Sequence, residues 1–420
     1  PNKENNVFQL VVQYGAGERE FPKLGYAAQL MNNAGIMGAY EPQELKEELS
    51  KLNATCHVTA DDDNLYIIME GYEATLPQAC QLLSRQILMP KLDEKQLARL
   101  KGSAMGMRQQ RKDNVSILNE ALRQYMLYGE KSDYIKELTD KEIYELQISE
   151  LTGDINRASN YEAKVFFTGT LPFDQVYDIL SKNLPLVANE RPSNSPQAKD
   201  MMPVTENTVY FLPNNDAEQA QIHLYIPMQK ADKKDDVLRS AFNQYFGLDF
   251  TGIVLNEIRE KRSMAYTAYA FVGTQGIAGK ASYLRGYIGT QNDKANDALD
   301  VLMGLVNDMP KNPERIDNIK SYLRQAMLTS HPSFRNKAME LVDLGYRGYT
   351  DDPAKENLPK VDALTFDDIV KFYEENIKDK PYCISIMGNP KNIDLKRLEK
   401  FGKVVKLNER KLFNTKDALF

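Results

Sequence analysis

The stretch PNNDAEQAQIHLYIPMQ, residues 213–229, repeats the pattern with which the chain begins, PNKENNVFQLVVQYGAG at residues 1–17. Each stretch starts with Pro-Asn, passes through a short polar turn and enters an apolar run typical of a β-strand. Residues 9–12 (QLVV) align with residues 221–224 (QIHL), 212 positions further along the chain. A pattern that recurs at this distance predicts an internal duplication.

The ends of the two repeats also agree. KVFFTGTLPFDQVYDILSKNL, which starts at Lys164, and CISIMGNPKNIDLKRLEKFGKV, which starts at Cys383, both show an apolar strand, a glycine turn, a proline and an amphipathic helix. Gly169 and Gly388 in these turns lie 219 positions apart. We therefore predict an α+β fold of two homologous domains, each with a mostly antiparallel β-sheet packed against α-helices.

A linker separates the two predicted domains. Residues 188–208, ANERPSNSPQAKDMMPVTENT, are rich in Pro, Ser and Asn and lack hydrophobic periodicity. The prediction assigns residues 1–187 to the first domain, 188–206 to the linker and 207–420 to the second domain. The strand-like run NTVYFL precedes the Pro-Asn turn only in the second domain, so we expect the first domain to lack its opening strand. A signal peptide further upstream would place the protein in the periplasm, and without one we expect it in the cytoplasm.

The composition excludes several classes of partner. Hydrophobic residues make up 42% of the 420 residues and charged residues 27%, which is typical of a globular protein. The net charge of -6 argues against nucleic acid or an anionic membrane as a partner, because both require a basic face. No apolar run approaches the ~18 residues of a membrane span. Cys56, Cys80 and Cys383 are too widely spaced to indicate a disulfide framework.

Histidines are too few and too scattered to form a zinc site. Such a site needs about three His, Glu or Asp ligands, most simply two His at i and i+4 on one helical face. The chain contains only His57, His223 and His331. We predict that His57 and His223 lie in strands and His331 in a turn. The sequence therefore predicts no metal site and no catalytic residues in this chain.

A second motif carries a resemblance to a known family. LNEIREKRSMAYTAYAF, residues 255–271, runs from the end of a charged helix into a strand and places Arg259 seven residues before Tyr266. Together with the duplicated α+β unit and the linker, this motif resembles the non-zinc, C-terminal half of the insulinase and pitrilysin family of zinc peptidases. The resemblance covers nearly the whole chain. It implies half of a clamshell in which Arg259 and Tyr266 bind the substrate.

The resemblance also implies that the zinc ligands are missing here. The family's metal helix, typically PGLAHFLEHMLFKGT with its HxxEH motif, corresponds to PKLGYAAQLMNNAGI at residues 22–36. This alignment places Tyr26, Gln29 and Leu30 at the His, Glu and His positions, and Met107 at the third ligand, a Glu. None of these side chains can replace the ligand or the general base. Zinc is then expected in a partner half, not in this chain.

The resemblance further implies how the two halves divide the work. A peptide substrate adds as a strand to a sheet edge in the zinc-bearing HxxEH half, which lies upstream on the same polypeptide or on a separate subunit. Arg259 donates to carbonyl groups of the peptide, and Tyr266 donates to a carbonyl or to the developing oxyanion. Tyr269 is expected to face the other side of the strand, and Arg262 to be solvated.

Two other functions stay open on the sequence alone. One is a metal-less scaffold or assembly subunit of the same fold, which needs neither Arg259 nor Tyr266. The other is a module that captures extended peptides without cutting them, which predicts peptide affinity in the isolated chain. Without the family resemblance, Arg259 would be interpreted as an exposed residue at a helix end and Tyr266 as a core residue. In all cases the chain alone is predicted to lack peptidase activity.

Overall fold

The computed structural model describes residues 5–184, 191–247, 251–330 and 332–416. The first part of the predicted linker, residues 188–190, lies outside the described residues, and so does His331 with its predicted turn. Both chain ends and the predicted domain boundary at residue 187 also lie outside them.

The first half of the chain alternates strands and helices before a long helical stretch. Its elements are β1 (Val7–Tyr14), α1 (Leu24–Met31), β2 (Gly35–Ile36), α2 (Pro42–Lys51), β3 (Thr55–Ala60), β4 (Leu65–Tyr72), α3 (Leu76–Leu88), β5 (Pro90–Lys91), α4 (Glu94–Gln109), α5 (Val115–Tyr128), α6 (Asp133–Lys136), α7 (Asp140–Tyr144), α8 (Ile148–Ala158), β6 (Ala163–Thr168) and α9 (Phe173–Asn183).

The second half follows a similar plan. Its elements are β7 (Thr208–Pro213), β8 (Gln219–Lys230), α10 (Asp236–Phe246), α11 (Ile253–Leu255), β9 (Ala265–Thr274), β10 (Ala281–Gln291), α12 (Ala295–Asn307), α13 (Ile316–Thr329), α14 (Lys337–Tyr346), α15 (Pro353–Ala363), α16 (Phe366–Asn376), β11 (Cys383–Gly388), α17 (Leu395–Leu398) and β12 (Lys403–Lys406). The strand predicted before the second Pro-Asn turn is β7. His57 lies in β3 and His223 in β8, as predicted.

Two large sheets organise the described residues. The strand order is β3-β4-β1-β6 in the first sheet and β12-β7-β11-β8-β10-β9 in the second. The order β9-β10-β8-β11 repeats that of the first sheet, and each of these neighbours pairs antiparallel in both sheets. β7 and β12 extend the second sheet by parallel pairing. Mixed helices and mostly antiparallel sheets confirm the predicted α+β class.

Helices cover one face of the second sheet. In β8, Ile222, Leu224 and Ile226 alternate along the strand and are fully buried on this face. Burial of each such side chain stabilises the fold by roughly 1.5–3 kcal/mol. Gly286 in β10 lies so close to the neighbouring strand that a Cβ there would stand 3.1 Å from Leu224 Cβ and 3.5 Å from Leu302 of α12. The sheet and α12 therefore pack without a gap.

Helix α5, from the first half of the chain, covers part of the opposite face of the second sheet. Its residues Leu118 and Leu122 pack with Leu212 of β7 and Met387 of β11 in one buried cluster. Asn119, on the same helix, has its Oδ1 3.0 Å from His223 Nε2. The two halves of the chain are therefore joined by a packed interface that includes both apolar and polar contacts.

In each of the two sheets, an asparagine side chain occupies backbone hydrogen-bonding groups of the edge strand, β3 in the first sheet and β9 in the second. Asn32, directly after α1, donates to the Val58 carbonyl (2.8 Å) and accepts from the Val58 N–H (2.7 Å). Asn243 in α10 makes the same two bonds to Val272, at 3.0 and 2.6 Å. A strand that adds to a sheet edge uses these same backbone groups. The two amides therefore prevent strand addition at Val58 and at Val272.

Candidate substrate-binding site

Arg259 lies on a π-helical turn. Helix α11 continues into a π turn at Asn256–Glu260, in which the Lys261 N–H donates to the Asn256 carbonyl over 2.9 Å. Such turns are rare in proteins and frequently occur at functional sites. Ile258 is fully buried and anchors the turn in the core, whereas 33% of the Arg259 side chain stays exposed. The turn thus presents the guanidinium at the surface.

A left-handed residue joins this turn to β9. Ser263 has a φ of 48°, its N–H donates to the Arg259 carbonyl (2.8 Å), and the Met264 N–H donates to the Ile258 carbonyl (2.9 Å). The first bond, made by a residue in the left-handed region to the carbonyl four positions before it, is the αL motif that ends many helices. Met264 packs against the same core cluster as Ile258. The motif holds the backbone of Arg259 in a defined position relative to the start of β9.

Tyr266 stands in a β-bulge at the start of β9. Thr267 pairs with Gly289 and Ala265 with Thr290, so Tyr266 is the extra residue that has no partner on β10. Bulges redirect side chains and are common beside active sites. The side chain of Ala265 faces the buried core, but 77% of Tyr266 is exposed. The interpretation of Tyr266 as a core residue is therefore wrong.

Arg259 and Tyr266 come together in space. The Arg259 Cζ atom lies 4.9 Å from the centroid of the Tyr266 ring, an arrangement worth about 0.5–1 kcal/mol at an exposed site. The Arg259 Nε atom lies 3.4 Å from Glu260 Oε1. A partly exposed guanidinium and an exposed phenol, both hydrogen-bond donors, therefore lie side by side at the end of the second sheet.

Glu257 holds the other two cations of the motif. Its carboxylate pairs with Lys261 at 2.6 Å and also with Arg262. The hydrogen bonds from Lys261 and Arg262 lower the pKa of Glu257, so the carboxylate stays ionised. Arg262 is exposed, as predicted, but it is also ion-paired. The motif therefore contains a structural ion-pair cluster in addition to the Arg259–Tyr266 pair.

Tyr269 packs against the sheet, as predicted. Its ring centroid lies 5.3 Å from that of Tyr287 in β10 and 5.9 Å from that of Phe271. Ala268 and Ala270, which alternate with it along β9, are buried on the opposite, core-facing side. Tyr269 therefore belongs to an aromatic surface on the face away from the helical layer.

The side chains at the expected ligand positions do not converge on one point. Gln29 is exposed, while Leu30 is 2% exposed and packs in the core of the first domain. Met107 on α4 is 57% exposed. Tyr26 is partly buried, and this burial raises its pKa although the charge of Arg108 opposes the rise. The region contains a phenol near a guanidinium, which is no ligand set for a cation.

Arg108, next to Met107, occupies this region. Its side chain is 9% exposed, its Nη1 lies 2.7 Å from Asp140 Oδ1, and its Nη2 lies 3.4 Å from Glu137 Oε2 and donates to the Leu138 carbonyl. Arg111 also pairs with Glu137 through both of its terminal nitrogens. The carboxylates in this region are therefore ion-paired with two guanidinium groups, which stay charged at all physiological pH values. This cluster disfavours a divalent cation.

Two further observations concern the described residues as a whole. Within them, no group of three or more His, Cys, Asp or Glu side chains could hold a metal ion. In the same part of the chain, no helix is both long enough and apolar enough to cross a membrane.

Replacing Ser263 with glycine tests the αL motif. A serine in the left-handed region is strained and glycine is not, so we expect S263G to raise the free energy of unfolding by about 0.5–1 kcal/mol. The control is S103G in the exposed interior of α4, which should lower it by about 0.5 kcal/mol, because glycine is the poorer helix former. Urea denaturation of both variants measures the difference. A loss of stability in S263G equal to that in S103G would contradict the assignment.

Comparison with known proteins supports the resemblance. Residues 159–323 match the family model of the peptidase M16 inactive domain. This match and the shared fold confirm the resemblance to the non-zinc half of the insulinase-type family. No curated protein matches the chain.

Several solved structures share the fold over nearly the whole chain. The peptidase M16 inactive domain from Pseudomonas fluorescens aligns with a TM-score of 0.72 at 16% identity, over 94% of this chain and 95% of its own. The periplasmic protease PqqL from Escherichia coli aligns with a TM-score of 0.70 at 13% identity, over 92% of this chain and 43% of its own. A variant of the ferredoxin protease FusC, in complex with Arabidopsis ferredoxin, aligns with a TM-score of 0.73 at 12% identity, over 92% of this chain and 42% of its own. This chain therefore spans less than half of the length of the two proteases.

Reasoning from the sequence missed the edge-closing asparagines. Asn32 and Asn243 lie 211 positions apart, close to the repeat distance, and each follows or ends an apolar helix. Asn32 directly follows α1, and Asn243 lies in the last turn of α10. This similar placement in both repeats is the signal that could have identified them. Sequence reasoning also missed Arg108, because the side chain that faces inward on a helix depends on the helical phase to within one residue.

Proposed function

We propose that this chain is the non-catalytic half of a zinc peptidase, which closes a chamber over a peptide and holds it with Arg259 and Tyr266. A zinc-bearing half, upstream on the same polypeptide or on a partner subunit, would carry out hydrolysis. The observation that supports this most directly is the pair itself: a partly exposed guanidinium on the π turn lies 4.9 Å from the exposed phenol ring of the bulged strand.

The chemistry of the two groups suits an extended peptide. A guanidinium offers five N–H donors in a fixed plane and forms strong, charge-assisted bonds to carbonyl oxygens. The phenol O–H can donate to a carbonyl or to the oxygen that becomes negative when the carbonyl is attacked. Tyr266 reaches this position because the bulge exposes it, and Arg259 because the π turn does. Zinc bound in the other half would supply the activated water.

The sheet edges indicate which half aligns the peptide. Asn32 and Asn243 occupy backbone groups on β3 and β9 that an added strand would need. Strand addition is therefore assigned to the zinc-bearing half, and this chain contributes side chains. This chain aligns with less than half of the proteases PqqL and FusC, which is consistent with such a division.

The test is reconstitution. The purified chain with zinc and a quenched fluorescent peptide should show no chelator-sensitive turnover. Addition of the HxxEH half, expressed from the same or a neighbouring reading frame, should produce turnover that a chelator abolishes. Turnover by the chain alone, or no turnover when both halves are present, would overturn the proposal. A scaffold would give the second result.

A further inference from the structure

Arg285 lies in the middle of β10 with its side chain on the face away from the helical layer. The residues on either side of it in the strand, Leu284 and Gly286, face the buried core. Because side chains alternate along a strand, Arg285 shares its face with Tyr287 and Tyr283. This face carries the aromatic surface that includes Tyr269.

Among the described residues, the Arg285 guanidinium has no partner of opposite charge. Its Nε atom is buried and has no hydrogen-bond partner, and the described residues give Arg285 no ion pair. By contrast, Arg108 contacts two carboxylates and Arg239 pairs with Asp236. A partly buried cation is normally paired, because removing its hydration is costly when nothing replaces it. Arg285 therefore stands out among the less exposed arginines of this chain.

Aromatic residues neighbour Arg285 on its face of the sheet. Its cross-strand neighbours are Phe271 in β9 and Tyr225 in β8. Tyr283 and Tyr287 stand two residues away on the same strand and face. Rings limit the access of water to the guanidinium. The Tyr287 hydroxyl already donates to Gln221 and the Tyr225 hydroxyl to the Met201 sulfur. An anion bound here would meet one planar charged donor group within a mostly aromatic wall.

The surrounding charges add to the positive potential. Arg285 and Arg123 of α5 both lie near His223, and together with burial, the largest cause, they lower the pKa of His223 to about 3. His223 is therefore neutral at pH 7. Arg123 is paired with Glu120, with Nε 2.7 Å from Oε2. Two guanidinium groups and one carboxylate leave one positive charge in the cluster uncompensated.

The distance between Tyr266 and Arg285 along the sheet determines how many peptide residues would separate the two contacts. Arg285 pairs with Phe271, which lies five residues after Tyr266 along β9. At about 3.3 Å per residue, this distance is about 17 Å. An extended peptide held at Tyr266 and running along the sheet would bring a residue about five positions away to Arg285.

We propose that Arg285 is a specificity-determining residue that binds a carboxylate of the peptide substrate, either an acidic side chain or the C-terminus, about five residues from the bond held by Tyr266. A carboxylate can accept two parallel bonds from a guanidinium and supplies the charge that the cluster lacks. This inference rests on the proposed peptide-binding function and adds a preference for acidic peptides to it.

Matched peptides test the inference on the intact chain. The probe is an amidated, rhodamine-labelled peptide of about twelve residues with a single Glu at a varied position, and its twin has Gln there. We expect the Glu peptide to bind roughly 10-fold more tightly in fluorescence anisotropy at the best position, because charge-assisted bonds exceed neutral ones. A second pair, with free and amidated C-termini and no Glu, distinguishes the two sources of carboxylate.

Variants assign the preference to Arg285. R285Q should reduce the Glu-to-Gln ratio to about 2-fold or less, and R285K should retain part of it because the charge remains but the planar fork is lost. The control is R324Q, whose arginine is exposed on α13 and paired with Asp362, and which should keep the full ratio. Circular dichroism confirms that each variant is folded.

The outcomes separate this inference from the proposed function. Y266F should change the affinity for both peptides of a pair by the same small factor and leave their ratio unchanged, because Tyr266 is proposed to contact the backbone. An absent preference, a preference that persists in R285Q, or no binding of either peptide up to millimolar protein overturns the role of Arg285. The reconstitution assay for the clamshell is unaffected by these results and tests the proposed function independently.

Discussion

Replacing Arg259 with alanine is expected to lower kcat/KM of the reconstituted clamshell by about 10²- to 10³-fold. This chain offers the guanidinium at the surface, 33% exposed, beside an exposed phenol. Removing one preorganised donor at a reacting carbonyl typically costs about 2.7–4 kcal/mol of transition-state stabilisation. Steady-state kinetics with a quenched peptide measures the change.

The Tyr266 phenol should act mainly on kcat. Y266F retains the ring, and thus the contact with Arg259, but removes the O–H. If the hydroxyl donates to the developing oxyanion, kcat falls by about 100-fold while KM changes little. R259K should recover only part of the activity, because an ammonium cannot reproduce the planar fork. These kinetics distinguish a substrate contact from a purely structural pair.

A matched arginine in the same motif serves as the control. Arg262 lies three residues from Arg259 and is exposed, but it pairs with Glu257. R262A should therefore leave kcat/KM within about 3-fold of the wild type, since exposed ion pairs contribute about 1 kcal/mol or less. Equal activity of R259A and wild type, or equal losses in R259A and R262A, would contradict the assignment of Arg259 as a substrate ligand.

Replacing Arg108 with alanine should lower the free energy of unfolding by about 2–3 kcal/mol, because its charge-assisted hydrogen bonds are lost. The Arg108 side chain is 9% exposed and contacts Asp140, Glu137 and the Leu138 carbonyl. Its loss leaves two carboxylates close together without this cation. Glu137 keeps its pair with Arg111, so the expected loss comes from the charge-assisted bonds that the largely buried Arg108 makes. Denaturant unfolding of R108A, compared with the wild type, measures the loss.

An exposed arginine with two carboxylate partners serves as the control, because it makes similar ion pairs without the burial of Arg108. Arg397 lies 2.7 Å from both Asp297 and Asp300, but 42% of its side chain is exposed. R397A should lower stability by no more than about 1 kcal/mol, because solvent screens the pairs. If R108A costs no more than R397A, the cluster at the former ligand position is not a buried structural element.

Much of the fold could be predicted from local patterns. The recurring Pro-Asn turns and apolar runs placed β1 and β8 at equivalent positions, and the structure shows the same four-strand order around them. The run NTVYFL predicted β7, and the glycine turns after β6 and β11 followed from the residue types. These signals are reliable because strand alternation and turn residues depend on neighbours in the chain.

The site was only partly predictable. Arg259 and Tyr266 stood out in the sequence through a motif, but the sequence did not show that a π turn and a bulge expose both side chains. At residues 22–36, which align with the metal helix of the family, the alignment indicated which residues are not ligands. It could not indicate that Arg108, rather than Met107, faces inward, because a shift of one residue rotates a helix position by about 100°.

The sequence by itself determined the α+β class, the duplication and the absence of a helical histidine pair, since these depend on residue type and spacing. Only the tertiary structure decided which side chains lie together: Arg259 with Tyr266 through the αL motif and the bulge, and Arg285 beside Tyr225 and Phe271 of the neighbouring strands, with no carboxylate partner among the described residues. Such contacts depend on the packing of α5 against the second sheet and on strand register. A register shift of one residue would turn Arg285 to the opposite face, and no local sequence signal specifies it.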